Sequence, residues 1–186
     1  MLEKLLEWDR NTFVYLNSLG IETYDAFWTI ITQITTWIPL FIIFFLLLVL
    51  KFPKKKAFHM FLTVLVLVGF VLLFTFITKE YVARLRPSND VELNALIRIL
   101  HTPTDYSFFS GHAASSFAIT TLIVLFLRRK IKWVWLFYLW PVLFSASRIY
   151  VGVHFPLDIL VGVLVGTLSA IAIYTIHVRI TAPSKG

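Results

Sequence analysis

Five apolar runs, at residues 27–50, 57–78, 108–127, 133–149 and 155–176, are each about long enough to cross a bilayer. A helix satisfies its own backbone and needs about 20 apolar residues to span the hydrocarbon. Runs of this length separated by charged segments point to an all-α integral-membrane bundle of five, or six, transmembrane helices. A composition that is 59% hydrophobic and 17% aromatic lies outside the soluble range. The 186 residues suit one membrane-embedded domain over 1–186, and the absence of cysteine excludes disulfides and thiolate metal sites.

Ahead of the first run, Leu2, Leu5, Leu6, Phe13 and Leu16 recur at near-helical spacing among Glu3, Lys4, Glu7, Asp9 and Arg10. This predicts an amphipathic helix lying on the membrane surface or packed on the bundle end. Residues 1–10 lack the central apolar stretch of a cleavable signal. Pro39 predicts a kink in the first span, because proline removes a backbone donor. Gly162 and Gly166 give the last span a small-xxx-small face for close helix contact. Leu93, Leu96, Ile97 and Leu100 predict a short amphipathic helix, either a holder of a lipid chain or a plain cap.

The net charge of +7 belongs to topology rather than to nucleic acid, because it sits in short clusters between apolar runs. The turns at 51–56 and 128–132, with Arg179 and Lys185, hold ten of the seventeen Lys and Arg and no acid. All ten acids fall on the other side by alternation. The positive-inside rule makes the acid-free side cytoplasmic. Residues 79–111, 148–158 and the N-terminus then share the extracytoplasmic face of an inner, or cell, membrane.

Three polar clusters converge on that face. In Ser147-Arg148-x5-His154-x-Pro156-x-Asp158, Pro156 suits the first turn of a helix, so His154 and Asp158 lie about one turn apart. The carboxylate can then fix one imidazole nitrogen and leave the other free as nucleophile or base. Lys79 and Arg86 are seven apart, two turns on one side if helical, with Pro87 following. Ser110-Gly111-His112 opens the third span, where a serine cap and free backbone N–H groups suit an anion. Three cations, a helix start, two histidines and a carboxylate suit phosphoryl transfer, which depends mainly on positioning and charge stabilisation.

Lys79-x6-Arg86-Pro87, Ser110-Gly111-His112 and Ser147-Arg148-x5-His154-x3-Asp158 resemble, in order and spacing, the signature of the type 2 phosphatidic acid phosphatase superfamily of membrane lipid phosphatases. The resemblance implies His154 as the nucleophile forming a phosphohistidine, Asp158 as its orienting partner and His112 as general acid and then base. It implies Lys79, Arg86, Ser110, Gly111 and Arg148 as phosphate ligands, with no metal and no cofactor. The family usually has proline where Phe109 stands, and its bacterial members mostly have six spans. The implied substrate is a lipid phosphomonoester or diphosphate, with undecaprenyl diphosphate or phosphatidylglycerophosphate first and lipid A as alternative.

The same residues fit three other functions less well. A site of two histidines and one carboxylate would hold a metal, but three cations would repel it. A serine protease on Ser110 has no use for those cations. A lipid-phosphate binder or transporter keeps them but does not need the His154–Asp158 pair. Arg84 and Arg98 read as interfacial snorkelers, His59 and His177 as residues meeting headgroups or water, and His101 as a bystander.

Overall fold

A computed structural model describes residues 1–182, so Lys185 lies outside the described residues. The described chain is helical: α1 (Leu2–Ser18), α2 (Asp25–Ile31), α3 (Ile38–Lys51), α4 (Lys54–Val82), α5 (Val91–Asn94), α6 (Gly111–Leu127), α7 (Leu139–Tyr150) and α8 (Pro156–Thr181). Stretches built on α3, α4 and α8 are long and apolar enough to cross a membrane unaided. The shorter α6 is apolar around its whole circumference and buries eleven of its 17 residues, which makes it the centre of the bundle. Leu65, Phe76, Leu164 and Leu168 point outward from α4 and α8, as expected of lipid-facing side chains.

The tightest pairing joins α6 to α8. A Cβ at Gly166 would lie 2.1 Å from the Ala114 carbonyl oxygen, and one at Gly162 2.7 Å from that of Ser110. The small-residue face read from the sequence is therefore a backbone-to-backbone contact. It fixes the start of α8 against the start of α6.

Three expectations change. The first span is not one kinked helix: α2 and α3 are separated, with Gln33 extended and a 3-10 turn over Ile34–Trp37. The Thr36 hydroxyl and the Trp37 indole N–H donate to the carbonyls of Ile30 and Ile31 at 2.7 and 2.9 Å, ending α2. Pro39 lies in the first turn of α3, where its missing N–H costs nothing, and marks a start rather than a kink. The helix expected over 93–100 shrinks to α5. Arg98 N–H donates to the Asn17 side chain at 2.7 Å and Leu100 N–H to Val151 O at 3.1 Å, so long-range partners replace the helical ladder. The fourth run opens with a 3-10 turn over Val134–Tyr138 before α7.

The N-terminal α1 packs across the end of α7 and the start of α8 at the site end of the bundle. It buries Asp9, Phe13 and Asn17 while its other face stays exposed. Asn17 donates to the carbonyls of Arg98, Ile149 and Tyr150 at 3.1, 3.0 and 3.1 Å. Phe13 meets Phe155 edge-on, with ring centroids 5.3 Å apart.

Candidate active site

Helix ends bring the polar residues together. Phe155 caps α8 and Pro156 occupies its first turn, which places Asp158 where its carboxylate accepts the Phe155 N–H at 3.0 Å. His154 immediately precedes this cap and is 1% exposed. Its Nδ1 lies 3.4 Å from Asp158 Oδ2 and 3.3 Å from the Ser107 hydroxyl, which also donates to Asp158. Its Nε2 lies 3.1 Å from Arg86 Nη1. A guanidinium only donates, so Nε2 carries the lone pair and Nδ1 the proton. Burial pushes the imidazole down to about 3, against the Asp158 hydrogen bond, so it is neutral at physiological pH. An imidazole held between a carboxylate and a guanidinium in this way keeps its lone pair on Nε2, where Arg86 occupies it in this structure and has to release it before Nε2 can attack.

The helical geometry expected for Lys79 and Arg86 does not hold: α4 ends at Val82 and Ala83 turns left-handed, so Arg86 sits on the following loop. The two cations converge nonetheless, on Asp105. Lys79 Nζ reaches Oδ2 at 2.5 Å, and Arg86 reaches Oδ1 at 2.8 Å. Arg86 also donates to the carbonyls of Asp105 and Val153 at 2.8 and 2.9 Å. Burial alone would raise Asp105, but the hydrogen bond from Lys79 and the charge of Arg86 hold its carboxyl below the usual range. Arg148 is 3% exposed, donates to the Thr32 hydroxyl at 2.5 Å and keeps a buried Nε without a partner.

Lys79, Arg86, Gly111, His112 and Arg148 line one cavity of about 290 Å3, whose apolar wall includes the outward-facing Leu72 and Phe76 of α4. His101, His112 and Arg148 also line a neighbouring chamber of about 380 Å3, with Thr29, Thr32, Gln33 and Thr35 on its far side. His101, which belongs to none of the three motifs, is thus on the wall of the site. His154 and Asp158 stand behind Arg86. Ser110 is fully buried: its hydroxyl accepts from Ala113 N–H at 3.4 Å, and its own N–H donates to Asp158 O at 2.9 Å. In this structure Ser110 ties α6 to α8.

Sequence reading missed four residues. Asp105 and Ser107 lie in an irregular loop with no local pattern. Arg84, read as a snorkeler, donates to Asp158 Oδ1 at 2.7 Å and to Asp9 Oδ2 at 2.7 Å, and lies 4.0 Å over the Phe155 ring. Asp9 is fully buried and also accepts from Leu157 N–H at 2.8 Å. Arg98, also read as a snorkeler, pairs with Asp25 at 2.5 Å.

Residues 57–182 match the family model described as PAP2 superfamily. The chain belongs to this superfamily. A lipid A 4'-phosphatase of Porphyromonas gingivalis is 30% identical over 95% of this PAP2 chain and 75% of its own length. An undecaprenyl-diphosphatase of Sulfolobus acidocaldarius is 36% identical over 80% of the chain and 66% of its own length. The fold resembles the crystal structure of a transmembrane PAP2 type phosphatidylglycerolphosphate phosphatase from Bacillus subtilis, with a TM-score of 0.76 and 23% identity over 96% of this chain and 88% of that one. The matched PAP2 segment contains all three polar clusters, whereas Asp9 and the rest of α1 lie outside it.

Proposed function

We propose that this PAP2 phosphatase removes a phosphate from a lipid through a covalent phosphohistidine on His154. The observation that carries the reading is the fixed tautomer of His154, with its Nδ1 proton held at Asp158 and Ser107 and its Nε2 lone pair facing the cations of the cavity. The substrate phosphate takes the place of the Asp105 carboxylate between Lys79 and Arg86, and Arg148 and the free N–H groups at the start of α6 receive its remaining oxygens. Nε2 attacks phosphorus, the bond to the lipid oxygen breaks, and protonated His112 gives that oxygen its proton. Asp158 stabilises the charge that develops on the imidazole. His112, now neutral, then takes a proton from water as the water oxygen attacks phosphorus. The N–P bond breaks, and inorganic phosphate and neutral His154 result.

The chamber of threonines and glutamine beside His112 gives a polar leaving group, a sugar or a second phosphate, a place to enter. This suits lipid A and undecaprenyl diphosphate, the substrates named for the two relatives. The clustering of acids at the site end and cations at the other supports an extracytoplasmic site in the inner membrane.

The test is phosphate release by purified protein in detergent with EDTA, from undecaprenyl diphosphate, lipid A, phosphatidylglycerophosphate and phosphatidic acid. The expected result is release that persists in the chelator, stops on vanadate addition and is abolished in His154→Ala. Release that survives His154→Ala, or that needs an added divalent metal, would overturn the mechanism.

A further inference from the structure

At the end of the bundle away from the candidate active site, the turn between α3 and α4, the turn after α6 and the end of α8 enclose a cavity of about 450 Å3. Lys56, Arg129 and Lys130 line it, and Lys56 Nζ is steered there by the Phe52 ring, 5.4 Å from its centroid. None of the three makes an ion pair among the described residues, and every Asp and Glu of the sequence belongs to the opposite end. Three cations converge on one cavity without a side-chain counter-ion.

His177 of α8 lines the same cavity and is 7% exposed. The Thr63 hydroxyl donates its proton to His59 O at 2.8 Å, so at 2.7 Å it must accept from His177 Nδ1. The other ring nitrogen, Nε2, is buried without a partner. It offers a bare acceptor to a hydroxyl. On its other side His177 borders an apolar groove of about 330 Å3 between α4 and α8, walled by Leu62, Val66 and Ile176.

We infer that this cavity is a binding site for an anionic phospholipid headgroup bearing both a phosphate and a hydroxyl, the chemistry of phosphatidylglycerol. Lys56, Arg129 and Lys130 meet the phosphate, the headgroup hydroxyl donates to His177 Nε2, and an acyl chain lies in the groove between α4 and α8. Basic pockets between membrane helices are suited to anionic headgroups, and each cation near the surface contributes about fivefold in affinity. Phosphatidylglycerol is a diester, so its binding here is independent of phosphomonoester hydrolysis at the other end.

The experiment is native mass spectrometry of the full-length protein from mixed micelles of phosphatidylglycerol and phosphatidylcholine, scoring the lipid retained. Wild type is expected to retain phosphatidylglycerol preferentially. The triple variant Lys56→Gln, Arg129→Gln, Lys130→Gln should lose that preference by at least about tenfold, and His177→Phe should weaken phosphatidylglycerol more than phosphatidylmethanol, an anionic diester whose headgroup has no hydrogen-bond donor. The control triple Lys51→Gln, Lys54→Gln, Lys55→Gln removes equal charge from the same end but outside the cavity and should keep the preference. Equal losses in the two triples would mean a generic basic surface and overturn the site, as would retention by the cavity triple. Displacement by millimolar glycerol phosphate would mean a soluble-anion site and would overturn the lipid assignment. Phosphate release by each variant checks that it is folded, and Arg129→Gln alone serves if the cavity triple is not.

Discussion

The carboxylate of Asp105 occupies the position between Lys79 and Arg86 that the proposed mechanism gives to the substrate's phosphate. It competes for the two cations, so Asp105→Asn should lower KM and tighten vanadate inhibition, by about tenfold for one displaced charge-assisted contact, with kcat little changed. A raised KM would show instead that Asp105 holds the cations in place. Asp158→Asn should reduce kcat about 10^3- to 10^4-fold by losing the orientation of His154, with the protein still folded. Arg84 acts through Asp158 and should behave as a positioning residue. Arg84→Met is expected to reduce kcat about 10- to 100-fold at unchanged KM, with partial rescue by Arg84→Lys and a smaller loss in Asp9→Asn. A pure KM effect would place Arg84 on the substrate instead. The contact of His154 with Asp158 was legible because the two stand four residues apart at a helix start marked by Pro156. Arg84, Asp9, Asp105 and Ser107 were not, because nothing local distinguishes an arginine that will be buried between two distant carboxylates from one that meets headgroups.

Helix packing fixes how accurately the site is held. The start of α8, which presents His154 and Asp158, is seated against the start of α6 through Gly162 and Gly166, where backbone replaces side chain at the contact. Gly166→Leu should therefore lower thermal stability in detergent severely, beyond the ~1–3 kcal/mol of ordinary overpacking. Gly69→Leu on α4 should be silent, since a Cβ there meets nothing within 4 Å. Comparable unfolding temperatures for the two variants would refute the tight α6–α8 contact. The small-residue spacing was legible because it is periodic within one helix. The break between α2 and α3 was not: Thr32, Gln33, Thr35 and Thr36 interrupt the apolar run without a charge or a glycine, and it is side chains turning back onto their own backbone that end the helix there. The vanished helix over 93–100 has the same cause. Its apolar spacing was real, but Asn17 and Val151 supply partners that its own ladder would have used.

Over the whole molecule, charge is divided between the two ends more sharply than the fold requires. The acids cluster with the candidate active site, and the other end is purely basic. The lack of native cysteine makes the orientation directly measurable. Leu96→Cys, exposed beside the site, should react with a membrane-impermeant maleimide in cells whose outer surface is accessible. Lys132→Cys, in the basic turn after α6, should react only after lysis. The reverse pattern would invert the topology. The bundle was readable from the spacing of apolar runs, because the bilayer imposes that spacing on the sequence directly; the sidedness read from the basic turns is what the labelling tests.

The clasp of Arg84 between Asp9 and Asp158 has a consequence in time. Its partners stand 75 and 74 residues from Arg84, and Asp9 is 148 residues from the Leu157 N–H it also accepts. During synthesis α1 and the loop after α4 reach the membrane long before α8, so Lys79, Arg86 and His112 are present while His154 and Asp158 are still unmade. Asp9 closes on α8 only when the last span has been laid in. On the mechanism proposed above, the order in which the helices are made thus leaves the clasp, and with it the oriented imidazole, to the last described helix.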